Sequence, residues 1–451
     1  MKKPQNIKIC LNAMVGNEAA TISRMLESVA DYVDYYVIQC NGKTDNTKQI
    51  IDDFFAQRGV PGFTYEIDWD YPGWNRDHTL QTCLQADHGC DWILRMDADE
   101  QLKVEDDFDW NIFTYTNVQS FNIIADPGDS LYYRTWLWNA KLPWYFAHDK
   151  RHETIWLPEV GESFERVNLP RGFRHIITND GETWFAPMKF LKDALELEMD
   201  KVTTNKVLED DYHLWYIGKS YSDSYGDASQ FPFGMDHAKE YARRTIFYYN
   251  IYLNKLHPGF SETGKPAQPD DMGYYAMYLI AQAQWFIGDR ETALKTLQQA
   301  GPFNPVRNEH LDLIARYNDE LQDWNAMFEA TSRMVHSGRP NPFPTSSFLI
   351  LNRSYFDTSF EPNYLHLKAT INANKPADLI KNAKDLLLTR HRIGTLPDYV
   401  VDLVQVANRI AGEEVQEKKE PLQGVFGATK WRLTTTWLLE PGCMAQSALV
   451  N

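Results

Sequence analysis

The stretch "WILRMDADEQL", residues 92–102, decides how this chain is read. Ile93, Leu94 and Met96 spell a strand buried on both faces, and then Asp97, Asp99 and Glu100 follow within a few positions. Upstream, strand-like runs ("IKICLNAMV", "DYYVIQC", "GFTYEID") alternate with helical ones ("EAATISRMLESVADYV", "TDNTKQIIDDFFAQRG", "DHTLQTCLQADHG"). That alternation predicts an α/β domain with a mostly parallel, Rossmann-like sheet covered on both faces. Thr44 or Asp45 is placed to cap the second helix. In such sheets ligands collect beyond the carboxyl ends of the strands, and the carboxylate knot stands at one of those ends.

The composition bounds the rest. At 451 residues, two or three domains are expected. Hydrophobic residues at 43% supply enough apolar surface to offset the entropy of ordering, which argues against wholesale disorder. A net charge of -17 with no long Lys/Arg block argues against nucleic acid and anionic membrane as partners. Cys10, Cys40, Cys83, Cys90 and Cys443 are odd in number and form no CxxC pair, the pattern of reduced thiols without a disulfide framework. The N-terminus is broken by Asn12, Gly16, Asn17 and Glu18, so it reads as a first strand and not a signal peptide. No run approaches the roughly 20 apolar residues of a membrane helix. A cytoplasmic protein with no transmembrane segment is expected.

Residues 130–185 lose periodicity and crowd with Trp, Tyr, His and charge, which marks the functional half of the first domain. Beyond, the pattern is helical. Met277, Ile280, Ala281, Gln284, Ala293, Leu297, Ala300 and Pro305 fall where a tetratricopeptide helix pair places small, apolar and Pro residues. Leu311, Ile314 and Ala315 match one period on, and Leu214, Ile217, Gly218 and Tyr221 fit an earlier unit. The expected organisation is 1–185 as the α/β domain, 186–338 as an all-α, tetratricopeptide-like region, and 339–451 as a mostly helical segment after the Pro-rich break "GRPNPFPTSSF". In that last segment "PADLIKNAKDLLLTR" and "PDYVVDLVQVANRI" read as helices begun by Pro, and "GVFGATKWRLTTTWLLEPG" as a hairpin.

Two aspartates one residue apart, just past a strand, can turn their carboxylates to one side of a loop. A hard cation such as Mg2+ or Mn2+ wants that arrangement, with substrate phosphates filling its other positions. Asp97 and Asp99 are the candidate metal ligands; in so acidic a chain a solvated loop is the bland alternative.

"CLNAMVGNEAATISRMLESV", "NGKTDNT" (41–47), "WNRDHTL" and "DWILRMDADEQ" together resemble family 2 glycosyltransferases, in the order that family places them. "RHE" (151–153) resembles a His-Glu pair of a soluble subgroup, and "HLWYIGKSYSDS" the start of its tetratricopeptide region. The resemblance covers roughly the first half of the chain. It implies a GT-A fold and an inverting transfer from a nucleotide-diphosphate sugar, a UDP-sugar by preference, to a hydroxyl of a glycan or protein acceptor. It further implies that Asn17, Glu18, Asn41, Asp45, Arg76, Asp97 and Ala98 line the donor site. One departure stands out: the family's base-recognising Asp near the second strand's end is replaced here by Gln39, Cys40 and Asn41.

Within that frame the acceptor hydroxyl needs a general base. Glu153 is the candidate, with Glu162 and Asp149 in reserve and a surface pairing of Glu153 with Arg151 or Lys150 as the alternative. His152 and His175 compete as a third metal ligand; His175 is preferred, and His152 is assigned to the acceptor. Arg76 can fork onto a diphosphate or pair with Asp70 or Asp77. Among Trp136, Trp138, Trp144, Tyr145 and Trp156, Trp144 is the ring expected to meet an acceptor sugar. The helical repeats are expected to hold the acceptor or a protein partner. Two other classes stay open: a non-catalytic scaffold acting through its repeats, and a nucleotidyltransferase.

Overall fold

The computed structural model describes residues 3–41, 44–115, 117–127, 131–147, 155–158, 165–178, 180, 188–204, 211–228, 234–264, 266, 270–305, 307–336, 360–388 and 398–410. It divides into two compact units, one running to Leu256 and the other beginning at His257.

The first unit opens with strand, helix, strand, helix as its hydrophobic runs require: β1 (Ile9–Val15), α1 (Ile22–Val29), β2 (Tyr35–Cys40), α2 (Thr47–Arg58), β3 (Gly62–Glu66), α3 (Pro72–Gln85) and β4 (Trp92–Met96). β1 and β4 are almost wholly buried, as strands covered on both faces must be. The residue at the N-cap of α2 is Asn46, yet the Asp45 carboxylate accepts from the Thr47 amide at 3.0 Å, which serves the same exposed helix end.

Seven further strands follow: β5 (Glu100–Val104), β6 (Val118–Asp126), β7 (Tyr132–Asn139), β8 (Tyr145–Phe146), β9 (Ile155–Trp156), β10 (Glu165–Asn168) and β11 (Phe173–Ile177). The main sheet runs β3-β2-β1-β4-β7-β6-β11-β5, with β10 also on β6, while β8 and β9 form a separate ribbon. The β3-β2-β1-β4 half is parallel throughout. β7 then pairs antiparallel with both β4 and β6, and β5 antiparallel with β11. The sheet is therefore mixed, a correction to the mostly parallel expectation.

This order has a geometric consequence. β5 is four strands from β4 along the sheet, about 19 Å if the sheet were flat. The link from Met96 to Glu100 reaches at most about 14 Å. The sheet must curl back on itself, and Asp97, Ala98 and Asp99 are the bridge that closes the curl. The Leu102 amide donates to Ser28 Oγ of α1 at 2.9 Å, which holds the returning strand.

The unit ends in α4 (Lys189–Thr204), α5 (Asp211–Ala228) and α6 (Gly234–Leu256). α5 and α6 cross closely at Gly218, where an added Cβ would lie 3.0 Å from the Tyr249 ring.

The second unit contains α7 (Phe260–Thr263), α8 (Asp271–Ile287), α9 (Arg290–Ala300), α10 (Glu309–Leu321), α11 (Trp324–His336), α12 (Phe360–Asn372), α13 (Pro376–Leu388) and α14 (Asp398–Ile410). Asp270 and Asp289 cap α8 and α9 through their carboxylates. Contacts recur at one spacing: Tyr274 to Glu309, Trp285 to Glu320 and Thr331 to His366 each join residues 35 positions apart. Within pairs, Thr296 donates to Gln284 and Asn382 to Thr370, both across 12 positions. A helical hairpin repeated near the tetratricopeptide period produces this regularity. The expected C-terminal hairpin lies outside the described residues. Among the described residues no helix is long and apolar enough to cross a membrane.

Candidate functional site

The carboxyl ends of β1, β2 and β4 share one edge of the sheet. There the loop after β1 and the loop after β2 are stitched together: the Thr44 amide donates to Asn17 Oδ1 at 3.3 Å, the Ala19 amide to Asp45 Oδ2 at 3.0 Å, and the Glu18 amide to Thr47 Oγ1 at 2.8 Å. Asn41 donates through Nδ2 to the Ile67 carbonyl at 3.4 Å and accepts from Gln39 Nε2 at 3.1 Å. Gln39 is fully buried, and its Oε1 accepts from Tyr65 and Thr79. Asn17, Glu18, Asn41 and Asp45 thus belong to one polar rim.

Asp97 follows β4 immediately and remains partly exposed. Its Oδ1 accepts from Arg76 Nη1 of α3 at 3.1 Å and lies 3.4 Å from Arg95 Nη2. Ala98 is buried. Asp99 sits two residues on; burial, then the charge of Asp97, raises its carboxyl above the ordinary range. The Thr178 amide donates to the Asp99 carbonyl at 3.2 Å, and Arg24 of α1 clamps Thr178 and Asp180.

Glu100, at the start of β5, is brought beside β7 and β11 by the curl. Its Oε1 accepts from Arg134 Nη1 at 2.5 Å, and its Oε2 lies 3.6 Å from His175 Nδ1. Burial pushes the Glu100 carboxyl up, against the opposing pull of Arg134. His175 is fully buried, and neither ring nitrogen has a hydrogen-bond partner among the described residues. Burial, then Arg134, lowers its pKa to about 3, so the ring is neutral. The half-buried Trp136 ring is gripped between Arg95 and Arg134, whose guanidinium carbons lie 4.2 and 4.3 Å from it.

The expected residues are therefore distributed unevenly. Arg76, Asp97, Ala98 and Asp99 share one corner, and His175 meets Glu100 directly. Asp97, Asp99 and His175 do not form a trio of ligand atoms within 4.8 Å of one another; among the described residues the trio that does is Cys10, Cys83 and His88. Trp144 is a correction: its ring is 1% exposed, packed near Trp138 in the core, with Nε1 donating to the Asn139 carbonyl at 3.0 Å, so it has no face to offer a sugar. Tyr145 and Trp156 are exposed instead and stand directly opposite each other across β8 and β9. Glu153, His152, Asp149 and Glu162 lie outside the described residues. Arg95, Arg134 and Glu100 were not among the expected site residues; the available signal was an arginine among the apolar and aromatic residues of each of two strands.

What the fold and site define is an α/β unit whose strand-end edge pairs acidic side chains with arginines, followed by repeated helical hairpins. No protein-family model matches the sequence, and no curated protein matches it either. Among solved structures the chain is similar to residues 1–349 of S. aureus TarS in complex with UDP-GlcNAc, at 11% identity and a TM-score of 0.32, covering 65% of this chain and 92% of that one. It is also similar to MamA, at 13% identity and a TM-score of 0.30, covering 46% of this chain and 91% of that one.

Proposed function

We propose that the first unit is a metal-dependent, inverting glycosyltransferase that takes a nucleotide-diphosphate sugar, a UDP-sugar by preference, and delivers the sugar to an acceptor hydroxyl. The observation that carries this reading is the Arg76–Asp97 contact at the carboxyl end of β4, with Asp99 beside it and the β1 and β2 loops forming the adjoining rim. Arg76, held beside Asp97, presents a guanidinium there, the donor geometry that suits a phosphate.

The donor set fits a hard divalent ion. Asp99 is partly buried and held above its ordinary pKa by burial and by its like-charged neighbour, a repulsion that a cation between the two would relieve. Asp97 and Asp99 would hold Mn2+ or Mg2+; His175, beside Glu100, does not converge with them to within 4.8 Å and would have to move to join as a third ligand. When bound, such an ion would offset the charge that grows on the departing diphosphate. The chain's own residues do the rest: Arg76 orients the diphosphate, Asn41 and the rim hold the nucleoside, and Glu153 takes the proton from the acceptor hydroxyl as it attacks the anomeric carbon. The exposed Tyr145 and Trp156 rings, and not Trp144, are the surface for acceptor sugars. His152, adjacent to Glu153 in the sequence, is assigned to the acceptor.

The second unit's regular spacing supports a platform for the acceptor or a protein partner. The test is release of nucleoside diphosphate from a panel of nucleotide sugars with Mn2+. Slow hydrolysis by the native protein, stopped by chelator and lost in Asp99→Ala, is the expected result. Equal inertness of both proteins on every donor would leave only the scaffold role, and pyrophosphate released from a nucleoside triphosphate would make the protein a nucleotidyltransferase.

A further inference from the structure

At the opposite edge of the same sheet, near the start of β1, lies a cluster the proposed reaction does not use. Cys10 of β1, Cys83 of α3 and His88 of the α3–β4 loop place one ligand atom each within 4.8 Å of the others. The Cys10 and Cys83 sulfurs are 3.4 Å apart. Cys90 adjoins them, its amide donating to His88 Nδ1 at 2.9 Å and its Sγ lying 3.5 Å from the His88 carbonyl. Both thiols of the close pair are fully buried among Val37, Leu80, Ile93 and Trp138.

We propose that Cys10, Cys83 and His88 bind a zinc ion, with Cys90 as the fourth ligand, and that this ion fastens α3 to β1. A tetrahedral zinc with bonds of about 2.3 Å to sulfur and about 2.0 Å to nitrogen keeps its ligand atoms about 3.5 to 3.8 Å apart. The sulfur separation seen here is within a few tenths of an ångström of that spacing. Two thiols and an imidazole converging from three separate elements are a soft donor set, which suits zinc and not the hard ion expected at Asp97.

Each thiol releases its proton to solvent as its zinc–sulfur bond forms. His88 binds through Nε2, and its ring proton moves to Nδ1. The contact from the Cys90 amide then opens, and the small shift of that segment turns Cys90 toward the ion. The site sits about two turns along α3 from Arg76, so its role is to fix that helix, independently of whether the strand-end site transfers a sugar.

Full-length protein purified without chelator is expected to contain about one equivalent of zinc by mass spectrometry. Cobalt added to metal-stripped, reduced protein should produce the intense thiolate-to-cobalt charge-transfer absorption of a tetrahedral site. Cys83→Ser, which removes one of the proposed thiolates, should weaken that absorption and lower cobalt affinity at least tenfold, and Cys40→Ser, which changes a buried thiol elsewhere, should alter neither. Absence of the band in the native protein, or an unchanged band and affinity in Cys83→Ser, overturns the proposal. Should Cys83→Ser fail to fold, the titration of native protein decides alone, together with His88→Gln, in which cobalt affinity should fall at least tenfold.

Discussion

Arg76 Nη1 lies 3.1 Å from Asp97 Oδ1, and through this contact the second turn of α3 is tied to the loop that closes the curled sheet. Both side chains keep some exposure, 18% and 30%, so the pair adds little stability. Its value is positional: it holds a forked donor at the strand end where a diphosphate would lie.

Arg76→Ala should therefore separate binding from folding. A charge-assisted contact to phosphate contributes about 1.5 to 3 kcal/mol, so the variant should bind UDP at least tenfold more weakly by calorimetry. Its melting temperature should stay within a few degrees of the native value. A large fall in melting temperature with unchanged UDP affinity would make Arg76 a structural residue.

The sequence disclosed β1, β2 and β4 because strands covered on both faces need unbroken apolar runs, and those runs are visible without partners; β3, a partly exposed edge strand, was marked instead by its place between two helical runs. It hid the other half of the sheet for a matching reason. β5 pairs with β11, some 70 residues away, and its neighbours come from chain reversals that leave no local period. The acidic turn after Met96 was legible; its part in bridging the curl was not, since that depends on where β5 goes. Trp144 shows the same limit. Its aromatic surroundings suggest a sugar platform, but its packing with Trp138 under the sheet places it in the core, whereas Trp156, two strands on, stays outside. The thiol cluster was invisible because Cys10 and Cys83 are 73 positions apart and no short spacing joins them.

Gly62 can be tested against Gly59. Gly62 has φ +149, and a Cβ there would lie 2.3 Å from the Tyr36 carbonyl oxygen, so Gly62→Ala forces β3 off β2. Gly59 has φ +64 with nothing within 4 Å of an added Cβ. Gly59→Ala should cost about 1 kcal/mol for the left-handed backbone alone, and Gly62→Ala more than about 3 kcal/mol. Urea titrations of both variants measure the difference; equal losses would refute the steric account.

The second unit should weaken in acid. Burial, then Arg333, lowers His310 to about 4, and burial, then His336, lowers His366 to about 4. Each folded pKa lies below the unfolded value near 6.5. The unfolded chain thus binds protons that the folded one refuses. Stability is full above about pH 6.5 and is lost as pH falls toward 4, with each histidine contributing about 2 kcal/mol of loss by pH 5. His366→Asn keeps an acceptor for Thr331, which now lies 2.9 Å from the ring. That variant should show a shallower fall in melting temperature between pH 7 and pH 5, and an unchanged slope would show that His366 does not titrate as argued.

Glu100 and Arg134 provide the sharpest probe of the curl, because their 2.5 Å contact joins the start of β5 to β7. Glu100 is nearly inaccessible, with 2% of its side chain exposed, while Arg134 retains 23%. Truncating the arginine leaves a buried carboxyl without its countercharge; truncating the carboxyl leaves the guanidinium with Tyr132 and the Trp136 face. Either single alanine variant should cost about 3 kcal/mol, and the double variant clearly less than the sum. Glu100→Gln preserves an acceptor for Arg134 and the local shape, so it should cost about 1 kcal/mol. Chemical denaturation of the four proteins yields the coupling directly. Additive losses would mean that the contact does not hold β5 to β7, and the bridge through Asp97 and Asp99 would then rest on the pairing of β5 with β11 and on the Ser28 and Thr178 contacts.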